Sequence, residues 1–291
     1  MKDLTTLLFE TSAFKIAPEN EPFWYTSGKI GPYFVNADYL YGSENDSKDL
    51  LAFIDSELEN ETKDNIPNHI FSKTLSHYNE NSIYKSVIDS MIEYIKQHVN
   101  LEEIDYISGG ERRDWFFSNI IAYLLEKPHI TIYKDLSTVE SNYDFSKNST
   151  ISKLEGKNVL HIADLLNQAA SFTRAWIPAI ENLGSKIKWA EFVIDRADGG
   201  TQVLENCNVE VLSLLKINED LFLKALNLNI INEKQLNLIK EFKKDPMGSM
   251  KQFLIDHPEF IKNSLKSDNS KTQKRVHTLI EQDIYGLGLN K

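Results

Sequence analysis

Val159-Leu160-His161-Ile162-Ala163-Asp164-Leu165-Leu166-Asn167-Gln168-Ala169-Ala170-Ser171 is the stretch that decides how this chain folds. Val159 to Ile162 is a short apolar run with β-branched residues, preceded by Gly156 and Lys157, and it predicts a buried strand. The strand runs into a carboxylate, Asp164, and then into small polar residues, Asn167 to Ser171. The segment from Phe172 to Leu183 predicts a helix closed by Gly184 in the C′ position. Strand, acid, short loop and helix together offer backbone N–H groups and the positive end of a helix dipole to a phosphate. In an open parallel sheet such loops lie at the carboxyl ends of strands, where ligands bind. No glycine lies between Asp164 and Ser171, which works against close approach of a phosphate to that backbone.

On the N-terminal side of this stretch, Ile104 to Ile107 is strand-like and leads into Ser108-Gly109-Gly110-Glu111-Arg112-Arg113-Asp114-Trp115. A helix from Phe116 to Leu125 and a strand from His129 to Lys134 complete a βαβ unit with a Gly-Gly turn at the helix entrance. Two readings of that turn stand side by side. Gly109 and Gly110 expose amides while Arg112 and Arg113 add charge-assisted bonds to a phosphate, or the arginines form a surface network with Asp114. Asp135 to Lys153 is polar and lacks periodicity, so it predicts a long loop, a lid or a disordered segment on the ligand face. On the C-terminal side, Ile187 to Ile194 predicts a strand ending at Asp195-Arg196, with a turn at Asp198-Gly199-Gly200 and a further strand from Val209 to Leu215. Strands alternating with helices over residues 101 to 215 indicate an α/β fold with a parallel sheet.

The flanks carry less chemistry. Leu4 to Glu10 predicts a short helix, and Phe23 to Asn36 a hairpin turning at Gly28, in which Lys29 is equally well a solvated side chain. Residues 41 to 100 are largely helical and polar: Leu50, Leu51, Ile54 and Leu58 make one stripe, and Ile83, Val87, Ile88, Met91 and Ile95 another, capped by Ser82. Glu57 to Asn68 reads as a loop between them. Beyond Asn218 the pattern is helical, broken at Pro246 and Pro258, with nothing that looks catalytic.

Composition narrows the function. The 291 residues suffice for one large or two modest domains, and 41% hydrophobic with 26% charged residues is ordinary for a soluble globular protein. No apolar run approaches the roughly 20 residues of a membrane helix, and the N-terminus lacks the apolar region of a signal peptide. The single Cys207 excludes an internal disulfide, fits a reducing cytoplasm and reads as core filler. A net charge of −11 argues against a nucleic-acid binder held by a broad basic face. Any anionic ligand therefore depends on locally concentrated cations. His69, His77 and His98 are too scattered for a metal site.

Ala13-Phe14-Lys15 with Phe23, Ser27-Gly28-Lys29 and Pro32-Tyr33-Phe34, the run Gly156 to Asp164, and Ile194-Asp195-Arg196 through Gly200 occur in the order and at the spacings of a known family. Together they resemble the orotate phosphoribosyltransferase family and, more broadly, the type I phosphoribosyltransferases. The resemblance covers residues 4 to 41 and about 101 to 218. It implies a type I phosphoribosyltransferase-like parallel sheet flanked by helices: an N-terminal hood over residues 1–41, a helical insertion over 42–100, the α/β core over 101–217 and a helical C-terminal extension over 218–291. It also implies transfer of 5-phosphoribosyl from phosphoribosyl pyrophosphate to orotate or a similar base, with Mg²⁺ carried by the pyrophosphate donor, in a cytoplasmic homodimer without nucleic-acid or membrane partners. Under that resemblance Gly109, Gly110 and Arg112 would match the pyrophosphate loop, and Lys134 a basic position before the lid. Asp164 would meet the ribose hydroxyls, and Asn167 through Ala170 and Ser171 would hold the 5′-phosphate. Lys29 and Phe34 would belong to the base site, Phe34 packing on the pyrimidine, and Arg196 would pair with the orotate carboxylate. The chain departs from the family at Ala163, where an acid is usual, and at Asn167-Gln168-Ala169-Ala170, where a Thr/Gly-bearing loop is usual. Thr26 stands for the hood's basic residue, and Ser137 to Ser146 has no cation. These departures leave a second expectation open: a catalytically inactive nucleotide- or base-binding protein with a regulatory or partner-subunit role.

Overall fold

In a computed structural model that describes residues 3–289, helix α1 (Leu4–Glu10) precedes four short strands, β1 (Phe14–Ile16), β2 (Phe23–Trp24), β3 (Ile30–Gly31) and β4 (Tyr33–Val35). β1 pairs antiparallel with β4, and β2 with β3 around Gly28, whose φ of 80° is the left-handed turn conformation that favours glycine. Three helices follow: α2 (Glu44–Asn60), α3 (Ile66–Glu80) and α4 (Ser82–His98). The expected loop from Glu57 to Asn68 shrinks to the few residues after Asn60, because Pro67 sits in the first turn of α3, where a missing N–H costs nothing. Asn81, rather than Ser82, caps α4, its side-chain oxygen accepting the N–H groups of Ile83 and Tyr84.

The sheet then forms from β5 (Tyr106–Gly110), β6 (His129–Ile132), β7 (Thr138–Ser141), β8 (Asn148–Ile151), β9 (Asn158–Leu166), β10 (Lys186–Asp195) and β11 (Glu210–Lys216), in the spatial order β11-β10-β9-β5-β6-β7-β8. Helix α5 (Trp115–Leu124) joins β5 to β6; a π-helical turn (Phe172–Trp176) and α6 (Ile177–Asn182) join β9 to β10; α7 (Gly200–Asn206) joins β10 to β11. From β11 to β6 every pairing is parallel, as the strand–helix alternation requires. Phe172, Trp176 and Ile180 pack with Ala163, Ala190 and Phe192 into a core under β9 and β10. Gly109 and Gly110 are not a turn at the helix entrance. They lie inside β5 opposite Thr131 and Ile132.

The expected lid is instead a hairpin. β7 pairs antiparallel with β6 and with β8, extending the sheet past its parallel part. Phe145 at the turn is fully buried and stacks on Phe71 of α3 at 4.5 Å. The turn between α2 and α3 clamps the hairpin from outside. Lys63 pairs with Asp135 and donates to the Ser137 hydroxyl at 2.7 Å, and Asp64 accepts from the Thr150 hydroxyl at 2.7 Å. Cys207 is exposed at the end of α7, so it is not core filler.

The chain divides into two units, residues 1–13 with 36–218 and residues 14–35 with 219–291. The strands β1 to β4 thus form one body with the C-terminal helices α8 (Glu219–Asn227), α9 (Glu233–Lys244), α10 (Pro246–Asp256), α11 (Pro258–Leu265) and α12 (Ser270–Glu281). Trp24 stacks on Phe260 at 5.4 Å and its indole N–H donates to Ser264 at 3.0 Å. Tyr33 packs on Phe222 at 5.8 Å, and the Ile30 N–H donates to the Tyr285 hydroxyl at 2.9 Å. Pro246 and Pro258 start α10 and α11, which is why the apolar period breaks at both. Among the described residues no helix is long and apolar enough to cross a membrane.

Candidate functional site

Asp164 lies near the carboxyl end of β9, the central parallel strand, where the chain leaves the sheet. The cleft it faces has a volume of about 490 Å³ and is walled by Asn36–Asp38, by Glu111–Asp114 at the start of α5, by residues 163–172 and by Trp176. Four carboxylates, Asp38, Glu111, Asp114 and Asp164, and two guanidiniums, Arg112 and Arg113, line it. Both arginines are already engaged. Arg112 pairs with Asp55 of α2, and Arg113 meets the buried Asp38 at 3.3 Å. Lys134 likewise answers to Glu111, its Nζ lying 3.2 Å from one oxygen while its backbone N–H donates to the other. Where the surface-network reading expected Asp114, the arginines of this structure meet Asp55 and the buried Asp38.

Asp114 ties the floor together. Its carboxylate accepts the Gly110 N–H at 3.0 Å and the Asp164 N–H at 3.4 Å, and lies 3.3 Å from Nε2 of His161. Asp164 is held well above the usual carboxylate range, first by removal from water and then by the negative charges of Asp114 and Asp38. Arg113 and the Leu165 amide oppose that shift.

The loop from Asn167 to Ser171 contributes to the cleft despite its missing glycine. Ala169 takes the left-handed conformation, φ 55°, that a glycine would ordinarily occupy. Gly200 lets the loop lie close: a Cβ there would sit 2.3 Å from the Asn167 carbonyl oxygen. Left-handed strain at Ala169 is worth roughly 1–2 kcal/mol, offset by its buried methyl and its stiffer unfolded chain. Ala169→Gly is accordingly expected to change stability by less than about 1 kcal/mol in chemical denaturation, leaving the loop geometry as it is.

The structure thus brings Arg112, Asp164, Asn167, Ala170 and Ser171 onto one cleft. Gly109 and Gly110 do not line it. Their missing side chains make room for Ser118 on one face of β5 and for Trp176, a cleft residue, on the other. Arg196 follows β10, donates its backbone N–H to the Leu166 carbonyl at 2.9 Å and turns its side chain to Asp198 at 3.2 Å. Lys134 stands behind Glu111, and Lys29 and Phe34 belong to the second unit. Sequence reasoning missed Asp38, His161 and Trp176. The available signal was His161: a polar ring inside an apolar strand has to find hydrogen-bond partners.

No protein-family model matches the chain. The orotate phosphoribosyltransferase of Sulfolobus acidocaldarius is 23% identical over 221 residues, spanning 76% of this chain and 87% of that protein. The adenine phosphoribosyltransferase of Shewanella woodyi is 25% identical over 179 residues, 58% of this chain and 96% of that protein. In fold, the crystal structure of orotate phosphoribosyltransferase from Francisella tularensis superposes with a TM-score of 0.52 at 15% identity, over 83% of this chain and 97% of that one. In sequence and in fold the chain is a relative of the type I phosphoribosyltransferases, the orotate and adenine enzymes among them.

Proposed function

We propose that this chain transfers 5-phosphoribosyl from phosphoribosyl pyrophosphate to a nucleobase, orotate before adenine. The observation that carries the reading is the cleft at the end of β9, where Asp164, the 167–171 loop and Arg112 border one sugar-phosphate-sized space. In this reaction the base nitrogen forms a bond to ribose C1 as the bond from C1 to pyrophosphate breaks, through a transition state of oxocarbenium character. Asp164 would hold the ribose hydroxyls, and the amides and side chains of residues 167–171 the 5′-phosphate. Arg112 would meet the departing pyrophosphate. To do so it must exchange Asp55, and an exposed pair of that kind is worth only about 0–1 kcal/mol. Mg²⁺ would enter as part of the donor, as the resemblance to the phosphoribosyltransferases implies. Arg196 remains the proposed partner of the orotate carboxylate, and the family's homodimer and cytoplasmic setting are proposed with it.

A second reading, a nucleotide- or base-binding protein without turnover, draws on Ala163 and on the acid partners of both arginines. Pyrophosphate release with donor, Mg²⁺ and either orotate or adenine separates the two. Turnover with one base is expected, reduced roughly 10²-fold or more by Asp164→Asn. A wild-type protein that neither turns over nor binds the donor in calorimetry rules out the transferase reading. Binding of base or nucleotide without turnover supports the second.

A further inference from the structure

Behind Asp114 lies a buried polar chain that crosses three elements. Ser108 of β5 and His161 of β9 are both wholly buried, and Asp114 at the entrance of α5 is 7% exposed. Ser108 Oγ is 2.9 Å from His161 Nδ1, and His161 Nε2 is 3.3 Å from Asp114 Oδ2. The imidazole is held in plane by Phe172, edge-on at 4.7 Å, and Trp176, stacked at 6.3 Å. Serine, histidine and aspartate in a row suggest a hydrolase nucleophile, but Ser108 has no access to the cleft. The arrangement that satisfies all three groups has Ser108 O–H donating to Nδ1 and Nε2–H donating to Asp114.

That orientation makes Asp114 the acceptor of three N–H groups, from Gly110, Asp164 and His161. The Asp164 carboxyl meets the Leu165 amide and, beyond it, the charges of Asp114, Asp38 and Arg113; Glu111 and Arg112 complete the charged lining. Hydrogen bonds to the ionised form favour ionisation where they are most numerous, and two close carboxylates do not share charge equally. We propose that His161 is a positioning residue: by donating to Asp114 it fixes the negative charge of the Asp114–Asp164 pair on Asp114 and leaves the proton on Asp164. Asp164 then offers the cleft a carboxylic O–H donor, and the lining carries three carboxylates against two guanidiniums. A polyanionic sugar phosphate meets less repulsion than four carboxylates would give it. That last step rests on the transfer proposed above; the location of the proton does not.

The test reads the ligand-free protein, so it is independent of turnover. Aspartate labelled with ¹³C at Cγ, with the Asp164 and Asp114 signals assigned through Asp164→Asn and Asp114→Asn, is titrated by NMR in the wild type and in His161→Leu, His161→Gln and Ser108→Ala. In the wild type the Asp164 carbon is expected to titrate well above the ordinary carboxylate range. In His161→Leu the single charge is expected to spread onto Asp164, so that a substantial part of its carbon's shift change appears already in the ordinary carboxylate range, below the wild-type step. His161→Gln, which keeps an N–H donor, should stay near the wild type, and Ser108→Ala should shift in the same direction as His161→Leu but less. An Asp164 titration curve unchanged in a folded His161→Leu, or glutamine behaving as leucine does, overturns the proposal. Should His161→Leu fail to fold, an unshifted Ser108→Ala overturns it equally. A silent pyrophosphate assay with these shifts present defeats the transferase reading alone.

Discussion

Gly110→Ala is expected to destabilise the protein by about 2–4 kcal/mol and to close the cleft. A Cβ at this position would lie 2.2 Å from the indole ring of Trp176, far inside any real contact. Trp176 cannot simply step aside, because it is 6% exposed, packed in the core under β9 and β10 and stacked near His161. Either β5 shifts, stretching the 3.0 Å bond from the Gly110 N–H to Asp114, or the indole is driven into the cleft it lines. Both outcomes damage the site as well as the fold. Gly109→Ala is the informative control. Its Cβ would lie 2.2 Å from Ser118 Oγ on the opposite face of the strand, so a stability loss is expected there with Trp176 left in place. Urea denaturation gives the two losses, and calorimetry with the donor shows whether binding disappears only for Gly110→Ala. Trp176→Leu in the Gly110→Ala background should recover part of the lost stability. A Gly110→Ala protein as stable as the wild type, with binding intact, defeats the close-packing account.

What the sequence revealed follows how local each signal is. β9, β10 and β11 each concentrate apolar residues in one run, and the helices between them follow at regular spacing, so the parallel sheet is legible. The β7–β8 hairpin is not. Thr138-Val-Glu-Ser and Asn148-Ser-Thr-Ile carry little apolar alternation, and the pair is held by Phe145 packing on Phe71 and by Lys63 and Asp64 from a distant turn. The same distance hid the partners of the arginines. Asp55 and Asp38 lie far from Arg112 and Arg113 in sequence, so only folding reveals that the cleft's cations are already neutralised. Ala169 is a different case: the missing glycine was visible, but the left-handed backbone that replaces it was not, because sequence shows side chains and not φ. The union of β1–β4 with α8–α12 was illegible for the first reason again, since Trp24 meets Ser264 and Phe260 across most of the chain.

Glu191→Leu is expected to stabilise the protein at neutral and higher pH by about 1–3 kcal/mol, the scale of a buried polar group without a partner. Glu191 sits in the middle of β10 opposite Ile162 and Leu212, has no exposure, and neither of its carboxyl oxygens finds a hydrogen bond. Burial raises its pKa well above the ordinary 4.5. The folded protein therefore holds a proton that the unfolded chain releases, and stability falls as pH rises above about 4.5, by roughly 1.4 kcal/mol per unit until the folded group ionises. His129 works in the opposite sense. Burial pushes its imidazole from 6.5 down to about 3, so its contribution is present above 6.5 and is lost as pH falls below that value. Between 4.5 and 6.5 the ascending His129 slope offsets one of two descending slopes, those of Glu191 and of Asp164, which is raised in the same way, so a net decline remains; above 6.5 both descending slopes act unopposed until Asp164 ionises at about 8. Replacing Glu191 should accordingly leave the profile nearly flat between 4.5 and 6.5, where Asp164 and His129 offset each other, and only the Asp164 decline above 6.5. Urea melts from pH 5 to 8 on both proteins measure this directly. A variant that is less stable than the wild type at pH 8, or that keeps the full decline toward alkaline pH, shows that Glu191 has a partner or a solvent path in the folded protein.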